Sequence, residues 1–105
     1  ADGHEHDHDE FESFVVEAGS VADPKAFTEK LKAVIAEHDI LRLKGFVDVP
    51  GKPMRLVVQA VGPRIEHYFD RPWGKDEVRN TRLVVIGLHE IDEQAITKAV
   101  KEAVL

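Results

Sequence analysis

The sequence predicts an α+β domain: an antiparallel β-sheet of four to five strands with two helices packed on one face, in the order β-α-β-β-β-β-α. Three observations carry this expectation. Short segments rich in Val, Ile, Leu and Phe are separated by turns holding Pro and Gly, the pattern of strands. Two other segments space their apolar residues by three and four, as one face of a helix requires, and each opens on an Asp able to cap it. The connections between the strands are short, which favours antiparallel neighbours.

Taken in order, Ala1 to Glu10 holds no large apolar residue. Nothing there offsets the entropy of ordering, so residues 1–10 read as a flexible linker rich in His and acid. The folded domain is placed at 11–105. Phe11 to Glu17 reads as the first strand, with Phe14, Val15 and Val16 between polar residues. Asp23 then acts as N-cap and Pro24 takes the first helical position, where its missing N–H costs nothing. Phe27, Leu31, Val34 and Ile35 form one apolar stripe that ends near His38. Ile40 to Val49 is the second strand, closed by a Pro50-Gly51-Lys52-Pro53 turn. Met54 to Val61 is the third, forming a hairpin with the second, and Gly62-Pro63 ends it. Arg64 to Phe69 alternates as a fourth, and Asp70 to Asn80 is a polar connection holding Trp73 and Gly74. Thr81 to Leu88 is apolar on both faces through Leu83, Val84, Val85 and Ile86, which marks an interior strand. Asp92 caps a last helix whose stripe is Ile96, Val100, Ala103 and Val104.

Composition narrows the function classes. The 105 residues suffice for one domain with a modest core. No cysteine is present, which excludes disulfides and thiolate metal sites and fits a cytoplasmic protein. No apolar run is long enough to cross a bilayer. The chain also begins without Met, the mark of an excised domain. The net charge of −6 is concentrated at one end: Asp2, Glu5, Asp7, Asp9, Glu10 and Glu12 precede the first Lys or Arg, at position 25. The other 14 acids balance the 14 Lys and Arg. A neutral body argues against a broad nucleic-acid footprint.

The third strand poses a question of cover. Val57 and Val61 oppose Leu56 and Val58, so both faces are apolar, while the helices account for one. The second face needs another domain, a second protomer, or the 70–80 connection folded across it with Trp73 as plug. Arg42 and Lys44 share one strand face by alternation, and Arg82 lies within reach across the sheet. With Trp73 they form a candidate interaction surface. The competing reading is cross-strand pairing of these cations with Asp48, Glu66 or Asp70, worth less than about 1 kcal/mol a pair.

Other chemistries fit poorly. Lys44-Gly45-Phe46 opens like an RNA-binding RNP1 segment, but Val47, Asp48 and Gly51 break the pattern, and it falls on the second strand. Phe46 reads better as core, with Gly45 allowing close backbone approach or a bulge. Ser13 and Ser20 lack a Gly-flanked elbow, and the carboxylates read as solvated faces, so no catalytic constellation emerges.

The histidines are more suggestive. His4, His6 and His8 alternate with Glu5, Asp7 and Asp9. In an extended chain alternate residues point the same way, roughly 7 Å apart. Imidazoles on one side and carboxylates on the other suit a borderline divalent ion. Ordering such a segment costs roughly 1–2 kcal/mol per residue, so binding should be weak and exchange fast. A passive acidic linker is the plainer reading of the same residues. His38 suits a helix C-terminus. His67 alternates with Ile65 and Phe69 and reads as a partly buried sheet residue, while His89 follows the fifth strand beside Glu90.

Four spaced segments, Arg42-Leu-Lys-Gly-Phe46, Gln59-Ala-Val-Gly62, Arg71-Pro-Trp73 and Arg82-Leu-Val-Val-Ile-Gly87, follow the His-rich lead-in. In this order they resemble the C-terminal domain of the CobW family, from about Phe11 to Leu105. The resemblance implies a parent protein that couples a P-loop GTPase domain to this smaller one and is linked to metal delivery. It also implies that the His tract is natural inter-domain linker. The chain itself holds no P-loop, because Gly51-Lys52 and Gly74-Lys75 are followed by Pro53 and Asp76 where Ser or Thr is needed. What the resemblance implies is therefore a non-catalytic domain of a GTP-dependent metal chaperone, with cobalt delivery for cobalamin biosynthesis first and zinc handling as the alternative. A docking module with a passive tail is the other reading. The metal, Co²⁺ or Zn²⁺, would be bound weakly by the tail and not by the folded domain. The partners implied are the GTPase domain of the same parent, a metal-receiving client such as a cobaltochelatase, and a second copy of the chain, with neither nucleic acid nor membrane.

Overall fold

A computed structural model describes residues 11–88 and 90–104. Five strands form one antiparallel sheet: β1 (Phe11–Ala18), β2 (Ile40–Val47), β3 (Met54–Val61), β4 (Arg64–Pro72) and β5 (Thr81–Leu88), in the spatial order β1-β5-β2-β3-β4. Two helices, α1 (Pro24–Glu37) and α2 (Glu93–Val104), pack against each other and against the sheet. The expected α+β class and element order are those observed.

The helix boundaries follow from capping. Asp23 Oδ1 accepts from the Ala26 N–H at 3.1 Å, and Pro24 opens α1. The His38 N–H donates to the Val34 carbonyl and closes it, after which Asp39 turns the chain with a φ of 52°. Asp92 Oδ1 accepts from the Ala95 N–H at 3.0 Å ahead of α2. The apolar stripes of both helices are buried: Phe27, Leu31, Val34 and Ile35 from α1, with Ile96, Val100 and Ala103 from α2. They meet Val16, Leu43, Val47, Leu56, Val58, Ala60, Leu83 and Val85 from the sheet. Burying one such aliphatic side chain contributes about 1.5–3 kcal/mol.

Two irregularities in the ladder aim the rest. On β2, Ile40 pairs with Gly87 but Arg42 with Ile86, so Leu41 is an extra residue. The bulge lets Ile40 and Leu43 both face the helices and turns Arg42, Lys44 and Phe46 to the opposite side. The Gly62 N–H donates to the Leu41 carbonyl at 2.9 Å, which gives the bulged peptide a partner. On β4, Arg55 pairs with Arg71 and Leu56 with Phe69, leaving Asp70 as the extra residue. That bulge carries β4 on to Pro72, three residues past the expected end. The polar residues of an edge strand give no alternation by which to see it. β2 in turn stops at Val47, short of the expected Val49. There the Asp48 N–H donates to Thr81 Oγ1 at 3.2 Å and its carbonyl accepts from Val21, so its backbone serves loop contacts instead of the ladder.

Gly45 sits where the β5 backbone leaves no room for a side chain. A Cβ built there would lie 2.0 Å from the Arg82 carbonyl oxygen and 2.7 Å from the Leu83 Cα. Close approach, one of the two expectations for this glycine, is what the structure requires. Gly45→Ala is expected to destabilise the domain by about 2 kcal/mol or more. Gly19→Ala, with nothing within 4 Å, should change stability by less than about 1 kcal/mol. Urea unfolding of the two variants measures the contrast, and equal midpoints would overturn this account.

Candidate functional site

The side of the sheet away from the helices is a graded surface. Its rows follow from the strand register. Phe11 and Leu88 form the outermost row, followed by Ser13, Ile86, Arg42, Val61 and Arg64. Next come Val15, Val84, Lys44, Gln59 and Glu66, and then Glu17, Arg82, Phe46, Val57 and Tyr68. Many apolar members are open to solvent, with Phe11 53%, Leu88 49%, Val61 62% and Val84 39% exposed. Val57 alone among the strand residues of this side is fully buried.

Arg42, Lys44 and Arg82 meet on this surface. With Phe46, Val84 and Ile86 they line a cleft of about 380 Å³, an apolar floor rimmed by three cations. Among the described residues none of the three has a carboxylate within salt-bridge distance. Two of the carboxylates proposed from sequence as their partners are engaged elsewhere. Asp48 pairs with Arg79, and Asp70 with Arg55. Cross-strand neutralisation therefore does not consume this charge.

Trp73 lies beside the cleft and not in it. It shares a second cavity, about 480 Å³, with Phe46, Glu77, Val78, Asn80, Glu17 and Arg82. Phe46 and Arg82 line both. The loop after β4 thus covers the Phe46 end of the sheet, as the plug reading expected, and among the described residues the Arg42 end is left uncovered. The Trp73 N–H donates to the Pro53 carbonyl at 3.1 Å, while its buried indole N–H has no protein acceptor.

An arginine network holds this loop, and sequence reasoning missed it. The Arg55 guanidinium lies 3.5 Å from the centroid of the Phe46 ring and donates to both oxygens of Asp70. Arg71 donates to both oxygens of Glu77 at 2.8 Å, and Glu77 Oε1 also accepts from the Gly74 N–H at 2.6 Å. Arg79 donates to Asp48 and to the carbonyls of Val49 and Lys52. The dense mixed charge of residues 70–79 was the available signal, but the partners Asp48 and Arg55 are remote in sequence. The Arg71 hydrogen bonds, with the Gly74 N–H behind them, lower the Glu77 carboxyl to a pKa of about 2. Asp70 is lowered chiefly by its hydrogen bond from Arg55.

The sequence-derived metal ligands His4, His6, His8, Glu5 and Asp7 lie outside the described residues, as does His89. His67 is exposed on edge strand β4 opposite Val58, and not partly buried as its alternation suggested. An edge strand has no further neighbour to cover it. His38 caps α1 through its backbone. Among the described residues no three His, Asp or Glu side chains gather into a metal-ligating cluster, and no helix is long and apolar enough to cross a membrane.

Comparison with known proteins decides the family. The model for the "Cobalamin synthesis protein cobW C-terminal domain" matches residues 11–104. This chain belongs to the CobW C-terminal domain family. The chain is 70% identical over 98 residues to a zinc chaperone CobW of Sinorhizobium sp, covering 93% of this chain and 28% of that protein. It is 53% identical over 91 residues to the zinc chaperone CobW of Pseudomonas aeruginosa, covering 87% of this chain and 24% of that one. A crystal structure of Zn(II)-bound YjiA GTPase from E. coli superimposes with a TM-score of 0.70 at 29% identity, covering 89% of this chain and 29% of that chain. The CobW C-terminal domain here thus spans about a quarter of the length of these relatives.

The Glu77 contacts predict an acid signature. Its pKa is depressed in the fold, so the stabilisation it brings is complete above its ordinary value of 4.5 and fades as pH falls toward about 2. Native chain should lose more stability over that window than Glu77→Gln, as denaturant midpoints measured at several pH values will show. Parallel pH profiles would sink the assignment.

Proposed function

We propose that this chain is the non-catalytic docking domain of a GTP-dependent metal chaperone, joined to a His- and acid-rich segment that gathers zinc. The observation that supports this reading best is the bare second face of the sheet. An apolar floor beside three cations that have no carboxylate partner among the described residues fits a protein surface that supplies both apolar side chains and carboxylates. The partner proposed is the GTPase domain of the same parent. The relatives extend well beyond the matched region, and a structural neighbour is described as a GTPase.

Zinc takes precedence over cobalt because the matched relatives are named zinc chaperones and the YjiA structure is zinc-bound. The cobaltochelatase suggested as client depended on cobalt, and with zinc the client becomes a zinc-requiring protein. His4, His6 and His8, with Glu5 and Asp7 between them, are the proposed collecting ligands. Weak, fast-exchanging capture suits hand-over to a tighter site on the GTPase domain. The proposed setting is the cytoplasm.

Calorimetric titration of Zn²⁺ and Co²⁺ into the full chain and into residues 11–105 tests the tail. Every strand and helix among the described residues lies within 11–104, so the shorter chain keeps all of them. Saturable zinc binding is expected only with the tail present, fading below about pH 6 as the imidazoles protonate. Equal binding by both chains would move the site into the fold, and no binding by either would leave a docking module with a passive tail. For the face, combined Arg42→Ala, Lys44→Ala and Arg82→Ala should weaken association with the parent's GTPase domain at least tenfold. An unchanged affinity removes the docking reading.

A further inference from the structure

The apolar residues of the second face gather on β1 and β5. Phe11, Val15, Val84 and Leu88 are exposed there and Ile86 is half-buried, so they form one strip along two strands. From Arg82 to Leu88 the strip spans about 20 Å at the usual rise of a strand. Cations border it on two sides. Arg42 and Lys44 stand on the neighbouring strand β2, opposite Ile86 and Val84, and Arg82 closes the end beside Phe46. The carboxylates in the same rows are distant or engaged. Glu66 lies on β4, and Glu17, the register partner of Arg82, instead accepts from the Asn80 amide at 2.9 Å.

Backbone chemistry selects the form of the occupant. β5 and β2 each have a hydrogen-bonded strand on both sides, so this face offers side chains and no backbone groups. An extended segment laid on it would withdraw peptide N–H and C=O groups from water without giving them partners. A helix pairs its own backbone and buries one stripe. Its diameter of about 10 Å covers two strands, and about 14 residues span 20 Å. Residues i and i+4 on one flank are separated by about 6 Å along the axis, close to the roughly 7 Å between Arg42 and Lys44. A second copy of the chain fits less well, because two-fold pairing of this patch brings the same three cations to the interface again.

We infer that the partner element covering this face is an amphipathic helix. Its apolar stripe lies along β1 and β5, carboxylates at i and i+4 on one flank meet Arg42 and Lys44, and another at one end meets Arg82. The inference rests on the reading of this face as a docking surface and names the secondary structure and charge pattern of what docks. The sheet is then the middle of three layers, with α1 and α2 on one side and the partner helix on the other.

Synthetic peptides of about 14 residues, added to the full chain without any GTPase domain, test this. The first is held helical by a hydrocarbon staple on its outer face and carries a Leu stripe with Glu at i and i+4 beside it. The second has Lys in place of those Glu. The third has the composition of the first in strict alternation, without a staple, to favour an extended chain. Titration with the first is expected to shift the backbone amide resonances of Arg42, Lys44, Arg82, Val84 and Ile86. The second and third should bind about tenfold more weakly or worse. A chain carrying both Arg42→Glu and Lys44→Glu should reverse the preference and favour the Lys helix. The inference is overturned if millimolar Glu helix leaves these resonances unmoved, if the Glu and Lys helices bind equally, or if the alternating peptide matches the stapled one. Should the parent's GTPase domain still bind through Arg42, Lys44 and Arg82 in that case, docking stands and the helix falls. Binding of the Glu helix by a chain that ignores the GTPase domain upholds the helix and removes that domain as its source.

Discussion

Leu41 is one residue more than β5 can pair with, and the character of the sheet's second face turns on it. Between the Ile40–Gly87 and Arg42–Ile86 pairs the two strands fall out of step by one residue. Strict alternation from Ile40 would carry Arg42 and Lys44 under the helices and turn Leu43 to solvent. Two cations would then be desolvated without partners, at a cost no core of this size could offset. The extra residue reverses that assignment. Leu43 and Val47 complete the core, while Arg42, Lys44 and Phe46 face outward. The Gly62 N–H on the Leu41 carbonyl holds the bulge in place.

The second bulge, at Asp70, works with the first to divide the charged residues into two populations. Asp70 accepts from Arg55 and also from the Arg71 N–H. Arg55 in turn stacks on Phe46, and Arg71 clamps Glu77. These side chains satisfy one another and fix the Trp73 loop over one end of the sheet. Arg42, Lys44 and Arg82 are left outside this network. Separation of neutralised from unneutralised charge, more than net charge, is what makes one part of the face a scaffold and the other a place to bind.

Much of this was legible in the residues. Asp23-Pro24 placed the start of α1, the Phe27-Leu31-Val34-Ile35 stripe placed its buried face, and Met54 to Val61 bounded β3 without error. Alternation put Arg42 and Lys44 on one face, and Gly45 was read as a site of close approach or a bulge, of which the structure shows the first. The end of β4 was not legible, because Asp70, Arg71 and Pro72 continue no apolar alternation past Phe69. Nor was the exposure of His67, since alternation assigns a residue to a face but does not say whether anything covers that face.

The sequence alone determined the elements, their order, the family and the charge imbalance between residues 1–10 and the rest. These are set by local physics: capping, periodicity, turn chemistry and composition act over a few residues. Only the tertiary structure decided which cations are left without a carboxylate partner among the described residues. Whether Arg42 meets Asp48, or Asp48 is already taken by Arg79, depends on register, on two single-residue bulges and on contacts across 31 positions of chain. Competition for a carboxylate is settled by which guanidinium arrives with the better geometry, and that geometry exists only once the strands have paired.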